Sequence, residues 1–154
     1  MPPPRTSADL RTDEQGSAAL EFIFTGVILL VPIVYLVVVL GLVQGQAMAV
    51  ESAARHIARA VATAEDAASA DARAVRVRDA IIAEYGMDPE AVHVAIECTS
   101  GAGECPSAGR TLAVRVTSSV PLPLVPPILG LDQLAQIGVE ATSLQKVSRF
   151  WSGG

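Results

Sequence analysis

"EFIFTGVILLVPIVYLVVVLGLV", Glu21 to Val43, opens on a carboxylate and then continues without another charged side chain. As a helix rising about 1.5 Å per residue, Phe22 to Val43 covers the ~30 Å hydrocarbon core of a bilayer, so the run predicts a transmembrane helix. Pro32 falls midway and removes one backbone donor. It is expected to bend the helix or loosen one turn, which membrane helices tolerate better than soluble ones. Gly41 and Gly45 stand four apart and permit close helix approach, although glycine is common in spans.

The bulk composition agrees with a long apolar helix. Of 154 residues 51% are hydrophobic but only 4% aromatic, so Ala, Val, Leu and Ile carry the apolar content. A formal net charge of -5 leaves no broad basic surface to neutralise phosphates, which argues against nucleic acid as a partner.

Beyond the span, Ala47, Val50, Ala54, Ile57, Val61, Ala64 and Ala68 recur at spacings of three and four. They form one apolar stripe, with Glu51, Arg55, His56, Arg59 and Glu65 between them, so the helix is expected to continue out of the membrane as an amphipathic stem. Small Ala side chains on the stripe favour close contact. Another molecule's helix and a surface of the chain's own domain both satisfy that pattern.

Ser69 or Asp71 can cap a second helix reaching Tyr85, with Ala74, Val77 or Arg78, Ile81 and Tyr85 at helical spacing, and Gly86 followed by Pro89 ends it. The period then changes to two. Val92, Val94, Ile96 and Cys98 alternate with His93, Ala95 and Glu97, and Leu112, Val114, Val116 and Ser118 alternate with Thr111, Ala113, Arg115 and Thr117. Both read as half-buried strands joined by a Gly-rich turn. A third candidate runs from Leu134 to Leu144, with Ala135, Ile137, Val139 and Ala141 on one face. The expected fold is α+β: a long N-terminal transmembrane and stem helix, a second helix, and a small three-stranded antiparallel sheet packed on the helices.

"PLPLVPPILGLD", Pro121 to Asp132, is apolar yet too rich in proline for a central strand or helix interior. It is expected to be an ordered loop. Covering one end of the small core is the favoured use of its leucines, with docking on a neighbour or a membrane surface as the alternative.

Cys98 and Cys105 stand seven positions apart across a turn containing Gly101 and Gly103. A disulfide is the simplest reading for an exported domain, and a pair of reduced buried thiols is the alternative. A structural zinc site would need four ligands, and only His93 lies near the two cysteines.

Upstream of the span, Met1 to Gly16 is polar, with Arg5 and Arg11 set against Asp9, Asp13 and Glu14. A cleaved secretory signal is one rival, since "AMA" at Ala47 to Ala49 has the small-x-small pattern. The apolar stretch is too long for it, and the residues before it are acidic on balance. Instead, Gly16, the small uncharged tetrad Ser17-Ala18-Ala19-Leu20, Glu21 and Phe22, followed by the unbroken apolar run, resembles the processing site of a type IV prepilin.

In that family a membrane-embedded prepilin peptidase cuts after the glycine, on the cytoplasmic side, and the span is retained. The resemblance implies a cut between Gly16 and Ser17, leaving Glu21 fifth in the mature chain. The physical sense of that spacing is electrostatic. A new amino terminus at Ser17 and the Glu21 carboxylate, one helical turn apart at the edge of a low-dielectric region, each need an opposite charge. Staggered packing of neighbouring helices lets the carboxylate of one subunit meet the amine of the next. The plainer role for Glu21 is to favour the positive end of the helix dipole, by up to about 1 kcal/mol.

Gly16 to Ala62 is similar, more narrowly, to TadE-like minor pseudopilins of tight-adherence (Flp) pili. Those chains begin Gly-Ser/Ala-Ala-x-x-Glu-Phe and carry an Ala-Ala-Arg-x-x-Ala-Arg stem, matched here by Ala53-Ala54-Arg55-His56-Ile57-Ala58-Arg59. One departure is the acidic balance of the leader, where many prepilin leaders are basic. The resemblance implies a role in pilus biogenesis, with other pilin or pseudopilin subunits and the assembly machinery as partners, and Glu21 and Phe22 in subunit assembly.

No enzymatic site emerges. His56 and His93 are the only histidines, no Gly-x-Ser-x-Gly elbow occurs, and "SGAGEC" lacks the length and lysine of a phosphate loop. No cofactor or metal is expected. The resulting expectation is a leader over 1–16, a transmembrane helix over 17–45, an amphipathic stem over 46–68 and an extracytoplasmic head over 69–154, in a single-pass membrane protein that assembles into or with a pilus. The rivals are a membrane-anchored binding domain that never enters a filament, and a secreted domain starting near Val50.

Overall fold

The structure is a computed structural model and describes residues 9–99, 105–126 and 128–152, with backbone alone for 9–17 and 132. Its elements, in chain order, are α1 (Asp9–Ala62), α2 (Ala67–Tyr85), β1 (His93–Cys98), β2 (Thr111–Pro121), a one-turn α3 (Leu131–Leu134) and β3 (Gln136–Lys146). The architecture is α+β with a three-stranded antiparallel sheet, as expected. The chain divides into two compact units between Leu40 and Gly41.

The described residues of the first unit, from Asp9 onward, are helix. α1 runs through Pro32, and large apolar side chains on every side of it are uncovered, among them Leu20, Ile23, Val27, Leu30, Val34 and Val37. This helix is long and apolar enough to cross a membrane and fits a membrane anchor.

In the second unit the sheet order is β1-β2-β3, with register His93↔Thr117 to Cys98↔Leu112 and Thr111↔Lys146 to Pro121↔Gln136. The alternation read from the sequence sets the two faces of central β2. Leu112, Val114 and Val116 are fully buried, while Arg115 points out and forms a 3.0 Å ion pair with Glu140 across β3.

The inward face packs on the C-terminal part of α1. Val50, Ala54, Ile57, Val61 and Ala64 of the expected stripe are buried, together with Ala49, Ala53, Ala58 and Ala62, in one core with the sheet. The stripe is therefore covered by this chain's own domain. Its outermost members, Ala47 and Ala68, are exposed. α1 ends at Ala62, so Ala68 belongs to the following helix.

Neither Ser69 nor Asp71 caps α2. The N-cap is Asp66, whose carboxylate accepts the Ser69 N–H at 2.7 Å while the Ser69 hydroxyl accepts the Asp66 N–H at 3.2 Å. Ser at this third helical position is a less familiar capping-box partner than Glu or Gln, which is why the pair was not the obvious reading. Gly86 ends α2 in the left-handed conformation, φ 62°. Ile81 and Ile82 turn inward while Tyr85 is exposed, so the buried face is rotated from the expected one.

The third strand begins at Gln136, after the α3 turn, two residues later than expected. The apolar side chains of the loop before it divide: Leu122 and Val125 are half-buried, whereas Leu124 is 90% exposed and Leu129 97% exposed, so these two do not cover the core. That end of the core is finished by Val120 and Val92, both buried. The C-terminal segment closes the opposite end. Ser148 N–H donates to Ala62 O (2.9 Å) and Ser152 N–H to Glu65 O (2.8 Å), and Val147 and Trp151 are buried beneath them.

Candidate assembly site

The proposed processing and assembly residues lie inside α1, about two to four turns after its first residue, Asp9, where its apolar run begins. Gly16 and Ser17 fall within the helical backbone range, and their side-chain surroundings lie outside the described residues. A helical backbone places Ser17 and Glu21, four apart, on one face. Glu21 is exposed and no described residue bonds to its carboxylate. Phe22 is 80% exposed, and Leu20, Ile23 and Phe24 beside it are uncovered as well. Among the described residues nothing packs around this carboxylate, which sits where the apolar run of α1 begins. Chemically it can accept a hydrogen bond or pair with a cation, and in an apolar surrounding an unpaired charge there is costly.

The second cluster is the cysteine turn. Cys98 and Cys105 form a disulfide with Cα atoms 5.7 Å apart, joining the end of β1 to the segment that leads into β2. Cys98 is half-buried against the core, and its bridge to Cys105 is a covalent clasp on the hairpin.

His93 lies on the outer face of β1 in an open depression with Asp88, Glu90, Thr117 and Gln136. His56 and Arg59 line a second groove between α1 and α2, facing Arg73 and Glu84. No group of three His, Cys, Asp or Glu side chains able to hold a metal ion occurs among the described residues.

Two features had no forecast in the sequence. Gln46 donates from Nε2 to the Ser118 hydroxyl at 2.9 Å, joining α1 to the one polar residue on the inward face of β2. Alternation marked Ser118 as inward, and a polar residue there demands a partner. The other is the backbone of Leu124 and Leu129, which takes positive φ values of 68° and 55°, while the exposure of their side chains fits the alternative use of the loop, docking on a neighbour or a membrane surface. Nothing in the composition of the loop signals that conformation.

No family model, no curated protein and no solved structure matches the chain, so the site is read from its own residues.

Proposed function

We propose that this chain is a pilin-like subunit of the tight-adherence type: a single-pass membrane protein cut between Gly16 and Ser17, with its disulfide-bonded domain outside the cytoplasm, that works in pilus assembly. The observation that carries the reading is Glu21, a carboxylate at the start of the apolar run of α1, whose large side chains from Leu20 to Leu36 are mostly uncovered. A membrane surrounds such a helix before assembly, and sister helices can replace the lipid afterwards. In both settings the charge needs a counter-charge, and a free amine at Ser17 of a neighbouring subunit supplies it one turn away. Phe22 and the adjoining apolar side chains form the packing surface. The disulfide suits an oxidising compartment.

Mass spectrometry of the mature chain tests the cut: a start at Ser17 supports it, whereas retention of residues 1–16 in cells with an active prepilin peptidase leaves an anchored domain that does not assemble. Glu21→Ala tests the charge. The variant is expected to be processed yet to be missing from sheared filaments, and normal incorporation refutes the pairing role.

A further inference from the structure

The segment from Pro121 to Leu131 carries no charge, and Asp132 is the first charged residue after Arg115. Leu122, Pro123 and Val125 are half-buried, and its other described apolar side chains are exposed. Leu124, Ile128, Leu129 and Leu134 are all exposed, two of them at least nine-tenths. Such an apolar patch on one loop normally marks a contact surface. The loop is also held in shape. Leu122 N–H donates to Ala135 O at 3.0 Å across its base, and Leu131 N–H to Ile128 O at 3.1 Å near its tip. Left-handed backbone at Leu124 and Leu129, where branched side chains are rarely found, persists only when the surroundings impose it.

The place of this loop in the second unit follows from three hydrogen bonds. Val147 N–H to Arg110 O and Ser148 N–H to Ala62 O bring the start of β2 to the C-terminal end of α1. Gln46 to Ser118 brings the far end of β2 to the part of α1 nearest Gly41. β2 therefore advances toward the N-terminal side of α1, and the loop that follows Pro121 emerges at the end of the unit where the chain enters from the apolar run.

We propose that Leu124, Ile128, Leu129 and Leu134 insert into the interfacial layer of the lipid bilayer that the apolar helix crosses, giving the domain a second attachment beside its anchor. This rests on the membrane-anchor reading and not on assembly into a filament. Lipid is the occupant favoured by the absence of charge, by prolines that prevent strand pairing with a partner, and by covalent continuity of this end with the span.

The test uses the full chain with its disulfide intact, in vesicles of phosphatidylethanolamine and phosphatidylglycerol, carrying one nitroxide label at a time. Labels replace Leu129→Cys on the loop, Val34→Cys in the span, and Leu144→Cys, an exposed β3 position paired with Ala113 at the other end of the sheet. Accessibility to oxygen, which concentrates in lipid, is compared with accessibility to a water-soluble nickel chelate. The expected result is an oxygen-to-nickel ratio at position 129 several-fold above that at 144 and near that at 34. A lipid-like ratio at 34 with equal, water-like ratios at 129 and 144 overturns the loop's insertion and leaves the anchor standing. Shielding of 129 from both reagents overturns it in favour of a protein surface, such as a second copy. A water-like ratio at 34 overturns the anchor and the loop together.

Discussion

Replacing Ile57 with alanine should destabilise the second unit by about 4 kcal/mol. Ile57 has no exposed surface and packs in the core that includes Leu112, Val114 and Val116 of β2. Losing three carbons forfeits about 2.4 kcal/mol at roughly 0.8 kcal/mol per methylene. β2 is hydrogen-bonded on both sides and cannot close the gap. A residual void of roughly 50–80 Å³ then adds about 1–2 kcal/mol, at ~24 cal/mol per Å³. Trp151, the only tryptophan and 7% exposed, reports unfolding by its fluorescence during urea titration of the full chain in mild detergent. Arg55→Ala, which breaks the exposed ion pair with Glu51, is the control and should cost about 0.3–0.5 kcal/mol. A loss below about 1 kcal/mol for Ile57→Ala, at an unchanged denaturant slope, would show that the stripe is not the core of this unit. If filament incorporation were lost as well, the stripe would belong to another molecule.

Two further outcomes follow from the covalent clasp and the helix cap. Replacing both Cys98 and Cys105 by serine should lower the stability of the domain by about 2–3 kcal/mol, the chain-entropy value for so short a loop, and an unchanged urea midpoint would refute a stabilising role for the bridge. The Ser69 backbone N–H, and then its side chain, hold the Asp66 carboxyl below the ordinary aspartate value. The stability this gives is complete above that ordinary value and is lost as pH falls through and below it. Asp66→Asn keeps an acceptor but does not titrate, so its melting temperature should fall less steeply than that of the parent on acidification, and superimposable acid limbs would count against the cap.

The parts of the fold that were legible were those written in a period. The apolar run, the stem stripe and the two alternating strands each repeat often enough to fix an environment, and Gly86 followed by Pro89 punctuates α2 unambiguously. Isolated decisions were not legible. Asp66, Ser69 and Asp71 are all plausible caps, and which one serves depends on α1 ending at Ala62, a boundary set by tertiary contact with Ser148. Trp151 sits in a short polar tail with no periodicity around it, so its burial follows only from the place where β3 delivers the chain. The use of the loop was not legible, because apolarity states a need for cover without naming the cover. At the candidate assembly site, position marked Glu21 and Phe22, but in the proposed mechanism the counter-charge belongs to another molecule, which one chain cannot display.

A change of surroundings along α1 ties these observations together. From Leu20 to Leu42 apolar residues occupy every side of the helix and are mostly exposed, whereas from Ala49 to Ala62 a single stripe is buried and Glu51, Arg55, His56 and Arg59 lie outside it. The switch falls at Gln44–Gln46, the first amide side chains after Gln15. An amide close to lipid loses water partners and is costly unless it is satisfied within the protein. Ser118 supplies that partner for Gln46, at the one inward position of β2 where a branched apolar residue would otherwise be expected. The pair thus explains two departures from pattern at once, a polar residue on a buried strand face and an amide at the end of an apolar helix. It also fixes which end of the sheet stands beside the start of the unit, the end from which the loop after Pro121 leaves.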